Sequence, residues 1–282
     1  MNSKYYCMPQ MPVNIQHDLQ IPFSLSPEQI GFFRENGFIK LKHVLSPEVI
    51  YYMNETISAE VVRLNTQHLP IEQRDTYGKA FLQIMNIWTK SATVKEIVFS
   101  KRLAKIATDL MGVNGVRMYH DQALFKEPGG GHTPWHADQY YWPLSNDNTI
   151  TAWIPLQETG LELGPVEFSA KSQQLQEGRT LKISDDSEAV IQKKLTLHDF
   201  EKVVEPFDTG EVSFHSGWIF HRAGANNTGK MRKVMTIIYM EKDMKLKEPE
   251  NENQQADWET WCPGAVAGKV IDTPLNPILY EH

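Results

Sequence analysis

The sequence predicts a mainly β fold, a β-sandwich or jelly roll with helices packed on its outside. Helix signals are concentrated before Gly112, and short segments rich in β-branched and aromatic residues follow it, separated by Gly, Asn, Asp and Pro. Helices that come first and many short strands that come afterwards favour packed antiparallel sheets. A doubly wound α/β fold fits less well, because the strands do not alternate with helices and the Gly-rich run 127–131 lacks the residues of a P-loop.

The helices are predicted from capping residues and apolar spacing. Ser26 and Ser46 are each followed by proline at the first helical position, a common helix start. The first of these helices is predicted to end at Gly37, and a short strand over 38–41 follows it. The second has apolar residues at intervals of three and four, which predicts a core-facing stripe. A pair of helices is predicted between Thr93 and Met111.

The strands are predicted from short β-rich runs bounded by turn residues. The turn chemistry of 225–230 indicates a hairpin, which would place Arg232 on the strand beside the one that carries His221. The predicted strands lie around 115–126, 149–157, 164–169, 210–215, 218–221 and 231–241.

We expect a single domain over residues 1–282, since all-β architectures of this length commonly form one domain. Its N-terminus has Pro and Met without periodicity, which predicts a loosely structured arm. Trp258 and Trp261 are expected to pin the acidic C-terminal tail onto the body. The predicted divisions are an N-terminal arm (1–24), a mainly helical flank (25–112), a β-helix core (113–245) and a C-terminal tail (246–282).

Composition excludes several functional classes. The chain has 28 Lys and Arg against 35 Asp and Glu, a net charge of −7, and this balance argues against a nucleic-acid partner. Its two cysteines, Cys7 and Cys262, cannot form a disulfide framework or a cysteine-based zinc site. Ten histidines supply metal-ligand chemistry instead. Neither a secretory signal nor an apolar run of about 18 residues is found, so we expect a cytoplasmic protein without a membrane partner.

The most informative segment contains His136 and Asp138, two residues apart. In an extended segment both side chains project to one side, where they could reach one ion. Two further histidines, His215 and His221, lie in a strand-rich segment. Two imidazoles and one carboxylate on one face of a metal form the facial triad of non-heme Fe(II) oxygenases, which leaves positions for a bidentate 2-oxo acid and O₂. A nearby arginine would suit the far carboxylate of 2-oxoglutarate, because its guanidinium binds carboxylates bidentately.

The order His-x-Asp, then a distant His, then Arg eleven residues later resembles the phytanoyl-CoA dioxygenase family. That family is a branch of the Fe(II)/2-oxoglutarate oxygenases built on a double-stranded β-helix. The resemblance covers roughly residues 26–245 and includes the opening S-P-E-Q segment, the strand Tyr119–Lys126, and the segments 151–156 and 164–166. It implies a double-stranded β-helix core in this chain.

The resemblance also implies roles for particular residues. His136, Asp138 and His221 would be the iron ligands, and Arg232 would anchor 2-oxoglutarate. Two further cosubstrate contacts are implied for Gln122, on the strand before the motif, and for the aromatic Trp153.

This chain departs from the family pattern at one position. Family members often carry Ser or Thr two residues after the distal histidine, where this chain has Ala223, and Thr151 is a candidate to replace that hydroxyl. His215 competes with His221 as the distal ligand. The same eleven-residue spacing from His215 leads to Asn226, which cannot anchor a carboxylate electrostatically, so the sequence favours His221.

The leading hypothesis is therefore a 2-oxoglutarate-dependent dioxygenase that oxidises, chiefly by hydroxylation, an unactivated C–H bond of a mid-sized small molecule. It would release succinate and CO₂, with ascorbate as a supporting reductant. Aromatic residues around the motif suggest an apolar substrate such as a specialised metabolite. An acyl-CoA hydroxylase is an alternative, although the net charge of −7 gives no sign of a basic patch for CoA phosphates. A metal-dependent hydrolase or isomerase, or a non-catalytic binding protein, are further alternatives. The aromatic residues around the His136–Asp138 motif that suggest an apolar substrate are Trp135, Tyr140, Tyr141 and Trp142.

Overall fold

A computed structural model describes residues 10–282, so Cys7 and the first part of the predicted N-terminal arm lie outside the described residues. Within that range the helices are α1 (Val13–Gln20), α2 (Pro27–Asn36), α3 (Pro47–Leu64), α4 (Thr76–Ala80), α5 (Ala92–Val98), α6 (Lys101–Met111), α7 (Asp185–Leu197) and α8 (Glu252–Trp261). The strands are β1 (Phe38–Leu41), β2 (Leu82–Met85), β3 (Gly115–Phe125), β4 (Thr133–His136), β5 (Thr149–Pro155), β6 (Val166–Ser169), β7 (Lys202–Val204), β8 (Val212–Ser216), β9 (His221–Ala223), β10 (Val234–Glu241) and β11 (Ile278–Glu281).

The strands form two antiparallel sheets. The larger sheet has the order β1-β8-β5-β10-β3-β11, and β2 pairs with the other half of the long strand β3. The smaller sheet has the order β4-β9-β6-β7. Two antiparallel sheets with helices outside them confirm the predicted mainly β class, a jelly roll with flanking helices.

The N-terminal helices form where their capping residues predict. The Ser26 side chain accepts from the backbone N–H of Gln29, whose side chain accepts from the N–H of Ser26 in return, and Gly37 ends α2 in the left-handed conformation. Ser46 and Ser100 cap α3 and α6 in the same way. These caps satisfy N–H groups that have no partner inside the helix.

The alternation of side chains along the larger sheet separates the core from the site. Ile150, Ala152 and Ile154 of β5 belong to the main core, which also contains the buried faces of α3 and α6. Thr151 and Trp153 of the same strand point the other way and line a cavity between the two sheets. Because successive strand residues face opposite sides, one strand serves both the core and the site.

The predicted hairpin between the His221 and Arg232 segments is wrong. β9 pairs with β4 and β6 in the smaller sheet, whereas β10 pairs with β3 and β5 in the larger one. The connection between them crosses from one sheet to the other and is held by Asn226. Its buried side-chain amide donates to the carbonyl oxygens of Lys126, Glu127 and Lys230 at 2.7–3.1 Å. The predicted strand around 218–221 is displaced as well, since residues 217–218 form a turn before β9 begins.

Within residues 10–282, the two terminal regions contain more regular structure than the sequence predicted. Residues 13–20 of the expected loose arm form α1, because Ile15 and Leu19 lie one helical turn apart and are both buried in the main core. The expected tail contains α8 and also β11, which pairs with β3. Within residues 10–282, every helix is too short or too polar to cross a membrane.

Replacing Asn226 should destabilise the protein. Asn226→Ala removes the amide that satisfies three carbonyl groups, so we expect a loss of about 2–4 kcal/mol in the free energy of unfolding, measured by urea denaturation. Asn227→Ala is the matched control, because that neighbour is exposed and should change stability by less than about 0.5 kcal/mol. Equal effects of the two substitutions would contradict the bracing role of Asn226.

Candidate metal centre

Two histidines lie opposite each other on neighbouring strands of the smaller sheet. His136 ends β4 and His221 begins β9, and the two are cross-strand partners in the antiparallel pair. Residues directly opposite each other project to the same face of a sheet. Their ring centroids lie 4.2 Å apart. Backbone pairing thus joins two imidazoles from distant parts of the sequence.

Asp138 reaches these histidines from a 3₁₀ turn and not from a strand. β4 ends at His136, and Asp138 begins a short 3₁₀ helix. The prediction that both residues lie in one extended segment is therefore wrong for Asp138. Asp138 Oδ1 lies 3.5 Å from His136 Nε2 and 3.7 Å from His221 Nε2. Two ligands at right angles on a metal with bonds of about 2.1 Å lie roughly 3 Å apart. The ligand atoms of the three residues, all within 4.8 Å of one another, are therefore spaced to share one ion.

Hydrogen bonds fix the nitrogen that each histidine presents. His136 Nδ1 lies 2.8 Å from the carbonyl oxygen of Pro134, and His221 Nδ1 lies 3.1 Å from that of Ile219. A carbonyl can only accept, so each Nδ1 donates and each Nε2 keeps its lone pair directed towards Asp138. Metal-binding histidines almost always donate their other ring N–H in this way.

The electrostatics of the cluster suit a cation. Burial lowers the pKa of His221 well below its usual value, and the neighbouring His136 adds to the shift. Burial alone would raise the pKa of Asp138, but positive charge on the surrounding imidazoles, above all on His221, holds it well below its usual value, so a cation stabilises this carboxylate. Neutral imidazoles and an ionised carboxylate are the protonation states in which these groups bind a divalent metal.

His215 lies beside the same carboxylate but lacks an orienting partner. Its Nε2 is 3.5 Å from Asp138 Oδ2, and its ring centroid is 4.5 Å from that of His221. It belongs to β8 of the larger sheet, and neither of its ring nitrogens has a hydrogen-bond partner within the described residues. Because no carbonyl fixes its tautomer, the geometry favours His221 as the third ligand, as the sequence did.

Helix α7, which the sequence did not predict, braces the β4 motif. Glu188 accepts from the backbone N–H of Trp135 at 2.6 Å and pairs with Arg222, the neighbour of His221, at 2.9 Å. Gln192 accepts from the indole N–H of Trp135 at 3.0 Å. Trp135 is fully buried in this contact and is not among the lining residues of either cavity described below. Its role is to fix the strand that carries His136.

A buried guanidinium faces the three clustered residues. Arg232 is fully buried, its Nη1 donates to the carbonyl of Gly164 at 2.5 Å, and its Nε has no hydrogen-bond partner. The rings of Phe81 and Trp153 lie 5.6 and 5.7 Å from its Cζ. Burial lowers the pKa of Arg232 to about 9, with no carboxylate among its neighbours in the described chain to oppose the shift. A buried charge without a counter-ion costs free energy, so this group favours an anionic ligand.

The guanidinium of Arg232 and the clustered residues His136, Asp138 and His221 line one cavity of about 80 Å³. Thr133, which the sequence did not single out, also lines it. It is the cross-strand partner of Ala223, and its buried hydroxyl has no hydrogen-bond partner. Thr151, the expected replacement hydroxyl, donates to Asp138 Oδ2 at 3.3 Å and so serves the carboxylate. All the site residues predicted from the sequence line this cavity: His136, Asp138, His221, Arg232, Gln122 and Trp153.

A second cavity, of about 410 Å³, adjoins the first and shares Gln122, His136 and Asp138 with it. The sequence predicted that Trp261 anchors the C-terminal region, but it did not predict that Trp261 also lines this cavity. Tyr140 does not line it, because its hydroxyl accepts from Asn253 and its carbonyl accepts from Gln254. The aromatic walls of the second cavity are Tyr141, Trp142 and Trp261.

Comparison with known proteins gives consistent matches. A family model described as phytanoyl-CoA dioxygenase (PhyH) matches residues 33–234. A protein of Stutzerimonas stutzeri named "probable alpha-ketoglutarate-dependent hypophosphite dioxygenase" is 20% identical over 231 residues, which are 77% of this chain and 79% of that protein.

Two solved structures share the fold. The non-heme alpha-ketoglutarate-dependent carbocyclase SnoK from nogalamycin biosynthesis aligns with a TM-score of 0.72 and 22% identity, over 92% of this chain and 99% of its own. The epimerase SnoN in complex with Fe³⁺, alpha-ketoglutarate and nogalamycin RO aligns with a TM-score of 0.72 and 20% identity, over 90% and 98%. These matches support a jelly roll of the kind found in non-heme iron oxygenases.

The two candidate distal histidines can be separated by metal binding. We expect His221→Ala to weaken Co²⁺ binding by about a hundredfold or more, because a ligand is lost, as followed by the visible absorption of bound Co²⁺. His215→Ala keeps all three proposed ligands and should weaken binding by less than about tenfold. The reverse order of effects would assign His215 as the ligand.

Proposed function

Because this chain belongs to the phytanoyl-CoA dioxygenase family, we propose that it oxidises an unactivated C–H bond of a mid-sized small molecule, chiefly by hydroxylation. It is a 2-oxoglutarate-dependent non-heme iron dioxygenase, and its cofactors are Fe(II), 2-oxoglutarate and O₂. The observation that carries the proposal is one cavity in which a His-Asp-His cluster and a buried arginine without a carboxylate partner face each other.

His136, Asp138 and His221 are the proposed iron ligands. Their three ligand atoms lie within 4.8 Å of one another, and three protein ligands would leave other coordination positions of Fe(II) open. Bound there, Fe(II) supplies the activation of O₂ for C–H oxidation, while 2-oxoglutarate is converted to succinate and CO₂. The chain contributes the two imidazoles in the correct tautomer, through the carbonyls of Pro134 and Ile219, and an ionised carboxylate.

Arg232 is the proposed anchor for the far carboxylate of 2-oxoglutarate. Its guanidinium is buried, has an Nε without a partner, and lines the cavity that contains the proposed ligands. A carboxylate bound there would supply the missing counter-ion and accept charge-assisted hydrogen bonds. Trp153, whose ring centroid lies 5.7 Å from the guanidinium carbon, would help to hold it in place, and Gln122, which lines both cavities, would offer a polar contact.

We further propose that Thr133 supplies the hydroxyl that Ala223 lacks. The two residues face each other across the β4–β9 pair, so a hydroxyl on either strand can enter the same part of the cavity. The Thr133 hydroxyl is buried without a partner, and burying such a group is unfavourable until it finds an acceptor. The carboxylate of 2-oxoglutarate would be that acceptor.

The second cavity is the proposed substrate site. Its volume of about 410 Å³ and its aromatic walls suit a mid-sized organic molecule. This volume is larger than a small inorganic anion requires. Within residues 10–282, Lys182 is the one lysine or arginine that lines this cavity. An acyl-CoA thioester would need more cationic groups for its phosphates, so this alternative is less favoured. A specialised metabolite is in keeping with the resemblance to SnoK, from nogalamycin biosynthesis, and to SnoN in complex with nogalamycin RO.

The cosubstrate role of Arg232 can be tested by succinate formation under O₂ with Fe(II) and ascorbate. Arg232→Met should raise the KM for 2-oxoglutarate by about a hundredfold or more, since it removes a bidentate ion pair. Lys233→Met is the matched control, because Lys233 bonds Asn54 and lies outside the cavity lining. No succinate from the unaltered protein, together with no binding of 2-oxoglutarate to its Fe(II) form, would favour a metal-dependent hydrolase or isomerase.

If Thr133 contacts the cosubstrate, its substitution should raise the KM for 2-oxoglutarate by less than the substitution of Arg232 does. Thr133→Val keeps the shape and removes the hydroxyl, so the KM for 2-oxoglutarate should rise about tenfold. The double variant Thr133→Val with Ala223→Ser restores a hydroxyl on the opposite strand and should recover most of the affinity. An unchanged KM in Thr133→Val would exclude this contact.

A further inference from the structure

The second cavity contains a carboxylate for which the described residues provide no cation. Asp257 of α8 lines this cavity together with His136 and Asp138. The Tyr119 hydroxyl donates to Asp257 Oδ2 at 3.2 Å, and the Trp261 indole N–H donates to the same carboxylate. Both donors are neutral, so the negative charge of Asp257 is uncompensated.

The surroundings of Asp257 make this charge costly. Burial raises the pKa of Asp257 to about 7, and the negative charge of Asp138 adds to the shift. Asp257 is half-buried, and a partly desolvated carboxylate without a cationic partner costs free energy that a bound cation would recover. This carboxylate therefore favours a positively charged ligand over a neutral or negative one.

A second polar group in the cavity also lacks a partner. His120 is only 4% exposed, its Nδ1 has no hydrogen-bond partner, and it lines the same cavity with its ring centroid 4.9 Å from that of Trp261. Burial lowers the pKa of His120 to about 4, so this imidazole is neutral and cannot be the counter-ion of Asp257. Its free nitrogen is available to accept a hydrogen bond from a ligand.

The remaining walls suit a cation attached to an apolar body. Tyr141, Trp142 and Trp261 present aromatic rings to the cavity, and aromatic faces attract cations. Lys182 also lines the cavity, but its side chain is exposed and forms no ion pair with Asp257. The buried part of the cavity is thus acidic and aromatic.

We propose that Asp257 and His120 together bind a basic nitrogen of the substrate, so that the substrate class is an organic amine carried on an apolar body. The Asp257 carboxylate binds the ammonium group, His120 accepts a second N–H, and the aromatic walls pack against the body. The inference rests on the proposed function, because this cavity adjoins the proposed iron ligands and would present a C–H bond to them.

The test is anaerobic calorimetry on the full chain loaded with Fe(II) and 2-oxoglutarate. Two sets of probes keep one aromatic ring system each and change the polar group from amine to alcohol to carboxylate: tryptamine, tryptophol and indole-3-acetate, and phenethylamine, 2-phenylethanol and phenylacetate. At least one amine should bind about tenfold or more tightly than its alcohol, and the acid should bind more weakly still. Asp257→Asn should reduce that amine to the affinity of the alcohol. Glu259→Gln, an equal change of charge at an exposed position of α8, should keep the preference.

Equal binding of amine and alcohol in both sets, or no binding by any probe, would overturn the inference. A preference that survives Asp257→Asn would overturn it as well. Should that variant fail to fold, the comparison of probes on the unaltered protein still decides. Failure of the proposed function is seen separately, as a missing absorption band of the Fe(II)–2-oxoglutarate complex in the unaltered protein. The amine preference would then be measured on the metal-free protein.

Discussion

The Asp138 carboxylate, enclosed by three imidazoles between the two sheets, is the interaction on which the site depends. His136 and His221 come from the smaller sheet and His215 from the larger one, so the sheets must face each other at a fixed spacing. Stacking of Phe38 on Phe168, with ring centroids 4.4 Å apart, helps to set that spacing beside the site. The apolar packing between the sheets thereby determines the electrostatics of the cluster.

Charge is distributed unequally around this cluster. The buried guanidinium of Arg232 lies in the smaller cavity. Lys126 is buried beside Arg232, and burial together with the charge of Arg232 lowers the pKa of Lys126 to about 6. The Lys126 amine donates to the carbonyls of Gly131 and Gly224. A carboxylate, Asp257, lies in the other cavity. This polarity suits an anionic cosubstrate on one side and a cationic substrate on the other.

In the proposed site, the pairing of Thr133 with Ala223 would let a motif change while its chemistry is kept. The family pattern places a hydroxyl two residues after the distal histidine, on β9, where this chain has Ala223. The neighbouring strand carries a threonine at the opposed position, and its hydroxyl enters the same cavity. Because cross-strand neighbours are as close as residues on one strand, the function of a side chain can move between strands.

The sequence by itself determined the class of the fold, the helix starts at Ser26 and Ser46, and six of the residues that line the smaller cavity. These features depend on local spacing and on one ordered motif, which can be recognised along the chain. Only the tertiary structure decided that β9 and β10 belong to different sheets, that α7 braces Trp135, and that Asp257 of the C-terminal helix lines a cavity with His136 and Asp138. These features arise from contacts between distant segments, and such contacts are selected by packing and burial over the whole molecule and not by the spacing of residues along the chain.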